Sequence, residues 1–250
     1  MKTKELLEAR WKVFTFTLLA LLVSVGNIAI YQYGKYQLAS GGASSPMFQD
    51  MTQDPLMKNF PALVWDRWFA ANGPFILMLF AVILGGGLIA GEVRKGTIFF
   101  LLSKPVSRER ILLTKYTVSA GLLLAMSVIN SLAIAVASIA VGHPQDLLHL
   151  LIATGLLWLA ALFPLGLSLF FSLFASDNFR PMVFSLLLTV ALVVLPVMLP
   201  NGLDWSLGHY WNNQHAYLAG GFPLKEYLVC LLTALVPLIA ALVVFRRKAY

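Results

Sequence analysis

The sequence predicts an all-α membrane protein of six transmembrane helices, with an amphipathic interfacial helix ahead of the first and both termini cytoplasmic. Three observations carry this prediction. Apolar residues make up 59% of the chain and charged residues only 12%, and mean hydropathy is +0.81, outside the usual composition of soluble domains. The apolar residues gather into six uncharged runs bounded by polar clusters, most of them near the roughly 20 residues that a helix needs to cross about 30 Å of hydrocarbon. All but four of the 18 Lys and Arg fall on the side that holds both termini, and such an excess marks the cytoplasmic face.

Residues 2–12 place Leu7, Trp11 and Phe14 at helical spacing with a Glu8/Lys12 pair at i, i+4, which predicts a helix lying in the inner interface. The basic start and following apolar run read as a retained first span, about 13–33, because the run is longer than the core of a secretory signal. An outer loop, 34–70, opens on the Ser/Gly/Ala tract SGGASSP and closes on Trp65 and Trp68, which suit the outer headgroup layer. The second span covers about 71–91. In it Gly87 and Gly91 form a small-xxx-small pair expected to let another helix approach closely. Spans three to six cover about 116–142, 147–174, 182–199 and 225–245. Pro164 with Gly166, Pro196 and Pro237 lie inside them as expected bends. Between the last two spans, 200–224 is polar and aromatic. Trp205, His209, Tyr210 and Trp211 there form a candidate outer gate, beside the alternative of an aromatic belt.

The interiors of the six runs hold no Asp, Glu, Lys or Arg, with Lys225 and Glu226 only at the rim of the last. Ion-coupled carriers need such groups at mid-membrane, so energy for any transport is expected from outside the bilayer. The net charge of +7 follows from the cytoplasmic excess of Lys and Arg and does not indicate nucleic acid. Cys230, the single cysteine, has no disulfide partner and no metal spacing, and reads as a small buried hydrophobe. His209 and His215 have no supporting carboxylate or cysteine pattern, so no metal site is expected. Gly85-x-Gly87-x-x-Ala90 lacks the preceding strand of a dinucleotide fingerprint, and Lys95-Gly96-Thr97 reverses the order of a phosphate loop. No catalytic set is visible, which argues against an intramembrane enzyme.

The cytoplasmic segment 91–116, GEVRKGTIFFLLSKPVSRERILLTKY, breaks the pattern of a solvated loop. Ile98, Phe99, Phe100, Leu101 and Leu102 run consecutively between Arg94 and Lys95 on one flank and Lys104, Arg108 and Arg110 on the other. Such a run needs burial against lipid or a second protein. Glu92 to Leu102 are expected to continue as one helix that Pro105 stops. Ser107 then caps a new helix with Glu109 in its first turn, and Val106 and Ile111 form a hydrophobic staple. The result is a knob shaped for docking.

The order Glu92, three residues, Gly96-Thr97, then Leu101-Leu102-Ser103, one residue, Pro105-Val106-Ser107-Arg108 resembles the segment after the second span in ATP-binding-cassette type 2 transporter permeases. The six spans and basic N-terminal helix are similar too. The resemblance implies a dimer of permease subunits, identical or different, in a bacterial plasma (inner) membrane, served by two copies of a separate ATP-binding cassette subunit that holds ATP and Mg. It also implies that Glu92, Gly96, Thr97, Pro105, Ser107 and Arg108 occupy the coupling positions, with Phe99, Phe100 and Leu101 as packing residues. On that basis the chain is expected to be the membrane subunit of an exporter for a hydrophobic or amphipathic cargo such as a peptide, a drug-like molecule or lipid. The alternative is a subunit that passes ATPase-driven motion to an external partner without moving cargo. A plainer reading leaves the segment as a basic loop lying on lipid.

Overall fold

The computed structural model describes residues 2–40, 59–103, 106–199, 206–212, 217–218 and 221–248, and those residues contain helices and turns but no strand. Among the described residues, five helices are long and apolar enough to cross a membrane. They are α1 (Lys2–Ala39), α2 (Phe60–Gly86), α5 (Arg108–Ala140), α6 (Leu147–Ser172) and α9 (Leu224–Arg247). A sixth apolar helix, α7 (Phe179–Val194), is shorter and continues as a 3-10 turn, Leu195–Met198, where Pro196 ends the α-helical bonding. Three short helices complete the description: α3 (Ala90–Arg94), α4 (Ile98–Leu102) and α8 (Leu207–Trp211).

α6 is the central helix, packed against α2, α9, α5 and α7, and its side chains are buried along most of its length. Close approach is made by small residues. A Cβ on Gly85 would lie 2.7 Å from the Leu165 carbonyl oxygen and one on Gly86 would lie 2.7 Å from Met182 Cγ, so α2 meets α6 and α7 at nearly backbone distance. Ser168 seals the α2–α6 seam by donating to the Val82 carbonyl at 2.7 Å. Gly166 receives Pro237 in the same way, bringing two of the expected bends, on α6 and α9, against each other.

α1 packs along α5 through Ala20, Ser24, Ile28 and Tyr31 and turns Leu7, Trp11, Phe14, Leu18 and Leu22 outward. Asn130 donates to Ser24 Oγ at 3.1 Å inside this seam, and the Ser131 and Thr154 hydroxyls bond each other between α5 and α6. Such polar contacts within apolar helices fix their rotation.

Two expectations are corrected here. The amphipathic segment 2–12 is no separate interfacial helix but the first turns of α1, continuous with the rest. Its Glu5 and Ala9 face the protein while Leu7 and Trp11 face out. Trp65 and Trp68 do not stand in a loop. They are buried in a π-helical stretch, Trp65–Asn72, within α2. Asp66 and Arg67 interrupt the apolar pattern there, yet pair with each other at 3.8 Å on the accessible side of the helix.

Candidate functional site

The hairpin between α2 and α5 is built of two short helices rather than one. Gly96, at φ +69°, ends α3. The Thr97 amide donates to the Glu92 carbonyl and the Gly96 amide to the Val93 carbonyl, each at 3.0 Å, a paired C-terminal cap that only a left-handed residue completes. The expected continuous helix from Glu92 to Leu102 is therefore broken at Gly96, and α4 begins anew at Ile98. On α4, Ile98 points back into the core at 2% exposure, whereas Phe99 and Phe100 are 64% and 70% exposed. Leu101 lies on α4, and Pro105 falls outside the described residues. Ser107 caps α5 as expected, its Oγ accepting from the Arg110 amide at 3.3 Å.

The base of the hairpin is held by a buried ion cluster. Lys115, on α5 and 2% exposed, donates to Glu5 Oε1 of α1 at 2.5 Å and to Glu92 Oε1 of α3 at 3.1 Å. Thr97 adds a hydroxyl bond to the other Glu92 oxygen. Glu92 and Thr97, with Lys115 and Glu5, tie α1, α3 and α5 together. Arg108 likewise serves the chain itself. It donates to the Phe245 carbonyl at 3.4 Å and to the Lys248 carbonyl, while Arg246 pairs with Glu109 at 2.5 Å. The start of α5 is thus tied to the end of α9, and the helix ends carrying most of the basic residues share one end of the bundle.

Beside the cluster, Gly87 and Gly91 border a cavity of about 320 Å³ lined also by Lys12, Arg94, Lys95 and Asn178. The nearest atoms to a Cβ at these two glycines lie at 3.7 and 3.5 Å, ordinary contact distances, while Gly85 and Gly86 make the closer approaches within the chain. The sequence alone does not single out Glu5, Lys115 or Asn178, and it marks Lys12 only as the partner of Glu8 along α1. Glu5, Ala9 and Lys12 do recur at helical spacing opposite Leu7 and Trp11, and that pattern is the available signal for a polar inner face.

At the opposite end, α8 is capped by Ser206, whose Oγ accepts from the Gly208 amide and donates to the Val193 carbonyl. Trp211 forms one wall of an apolar cleft of about 290 Å³ with Phe69, Phe75, Met78 and Val190. Tyr210 sits under the Lys225 ammonium at 5.5 Å, and its carbonyl faces the buried Cys230 thiol at 3.6 Å. His209 is exposed, edge-on to Tyr210. Trp205 lies outside the described residues. Nearby, Tyr217 donates to Gln145 Oε1 at 3.2 Å, and burial raises its phenol above the ordinary range, which keeps it a donor.

No curated protein matches the chain. The family model described as ABC-2 family transporter protein matches residues 2–218, from the first turn of α1 through the hairpin and its lock to the region around α8. A multi-pass helical bundle joined by such a hairpin, with that match over nearly its whole length, belongs to the ABC-2 transporter family.

Proposed function

We propose that the chain is the membrane subunit of an ATP-driven exporter in a bacterial inner membrane, with the hairpin end and both termini cytoplasmic. α4 docks a separate ATP-binding subunit that holds ATP and Mg, and two such pairs form the working assembly. The observation that carries this reading is the exposure of Phe99 and Phe100 at the tip of a hairpin whose base is locked. Two adjacent exposed aromatic rings on a rigid mount suit an apolar pocket on a partner, and the family is one in which a permease works with an ATPase. The apolar cleft at Trp211 supports an exit for a hydrophobic or amphipathic cargo.

The test is co-purification from native membranes. Phe99→Asp with Phe100→Asp is expected to release the ATPase subunit while the permease stays in the membrane at its usual level, because both side chains project away from the fold. Undiminished association would sink the docking assignment.

A further inference from the structure

We propose that the cavity beside the lock binds one phosphodiester monoanion with a neighbouring hydroxyl, the chemistry of a glycerol-type phospholipid headgroup. The site does not depend on α4 engaging an ATPase. Four cations and three carboxylates line the cavity. Lys115 is taken up by Glu5 and Glu92, and Lys95 by Glu8 at 3.1 Å. Lys12 and Arg94 have no hydrogen bond or ion pair among the described residues. The lining therefore carries one uncompensated positive charge at the base of a helical bundle, where a monoanion restores balance.

A second observation points the same way. Asn178 Oδ1 is shielded from solvent and accepts no hydrogen bond among the described residues, although Asn178 lines the same cavity as Lys12. A buried acceptor in that position asks for a donor, which a bare phosphodiester lacks and a glycerol hydroxyl supplies. The volume of about 320 Å³ suits a headgroup fragment.

The surroundings favour lipid over a soluble phosphate ester. Leu84, Leu88 and Leu122 line the cavity together with its charged residues, a mixed lining that matches an amphiphile. Leu7, Trp11 and Phe14, on the turns of α1 that carry Glu5 and Lys12, are exposed apolar side chains. A Trp between Leu and Phe on an outward helix face is a side chain for the depth at which lipid headgroups lie.

The experiment uses purified full-length protein in neutral detergent. It is titrated with short-chain phosphatidylglycerol, short-chain phosphatidylcholine and glycerophosphoglycerol, and native mass spectrometry counts the ligand retained. We expect a single phosphatidylglycerol per chain, held at least about tenfold more tightly than phosphatidylcholine. Lys12→Gln should lose that preference and Lys12→Arg should regain it. Lys225→Gln, at the opposite end, should leave it unchanged. Asn178→Ala should weaken phosphatidylglycerol binding severalfold, and it decides the matter alone if Lys12→Gln does not fold. Equal affinity for the two lipids, or an unchanged preference in both cavity variants, would overturn the site. Glycerophosphoglycerol bound as tightly as the lipid would overturn the lipid source and assign the cavity to a soluble phosphodiester.

Discussion

Lys115 is the side chain on which the hairpin depends. It is buried with two carboxylates from different helices, and a charge in such a place is tolerable only while it stays paired. Lys115→Met removes the one cation and leaves Glu5 and Glu92 facing each other, so it is expected to cost on the order of 3–5 kcal/mol. Glu5→Gln leaves Lys115 paired with Glu92 and keeps an amide oxygen near the ammonium. It is expected to cost far less than Lys115→Met. Thermal unfolding in detergent, followed for both variants, checks the order, and a Glu5→Gln variant as unstable as Lys115→Met would contradict it. The sequence hid this cluster for a physical reason. Glu5, Glu92 and Lys115 each stand in a segment where a charge is expected to meet water, and three separated charges become a lock only when three helices converge.

At the scale of the helix, the α2–α6 seam sets how tightly the bundle closes. Gly85→Val places a branched side chain where a single Cβ already comes within 2.7 Å of the Leu165 backbone. Overpacking of this kind costs roughly 1–3 kcal/mol, and because backbone cannot give as a flexible side chain does, the variant is expected to lose most of its monodisperse yield on size-exclusion chromatography. Gly91→Ala, facing Asn178 at 3.5 Å, should elute as the wild type does. Equal yields from the two would remove Gly85 from the seam. Local chemistry was legible at this scale wherever the signal was short-range. Ser107 caps α5 as its sequence indicates, and α5, α6 and α9 form where uncharged apolar runs lie. What escaped lies in the backbone conformation itself, which residue spacing does not reveal. Gly96 sits in a stretch that satisfies helical spacing, and only its left-handed cap shows that α3 ends there. Trp65 and Trp68 suit the outer headgroup layer by residue type, whereas a π-helical stretch turns the two indoles inward.

In the whole molecule, the hairpin is joined to some neighbours and parted from others. The lock ties it to α1 and α5, and the Arg108 and Arg246 bonds tie the start of α5 to the end of α9. Toward the loop ahead of α7, the cavity intervenes, with Asn178 facing Gly91 across it. Packed interfaces resist sliding, so a push on Phe99 and Phe100 should carry α1, the hairpin and α5 as one body and shift it against Asn178. Two cross-links separate this from motion within the hairpin. Glu8→Cys with Lys95→Cys, joined by a short bismaleimide, bridges residues already paired at 3.1 Å, and the exposed pair it replaces contributes about 0–1 kcal/mol. Gly91→Cys with Asn178→Cys forms a disulfide across the cavity. Both are made with Cys230→Ser, which removes the native thiol. The first cross-link is expected to leave ATPase turnover of the reconstituted assembly unchanged. The second should arrest turnover, with recovery on reduction. Arrest by the first and indifference to the second would place the moving joint between the hairpin and α1, and the lock would then have to open in every cycle.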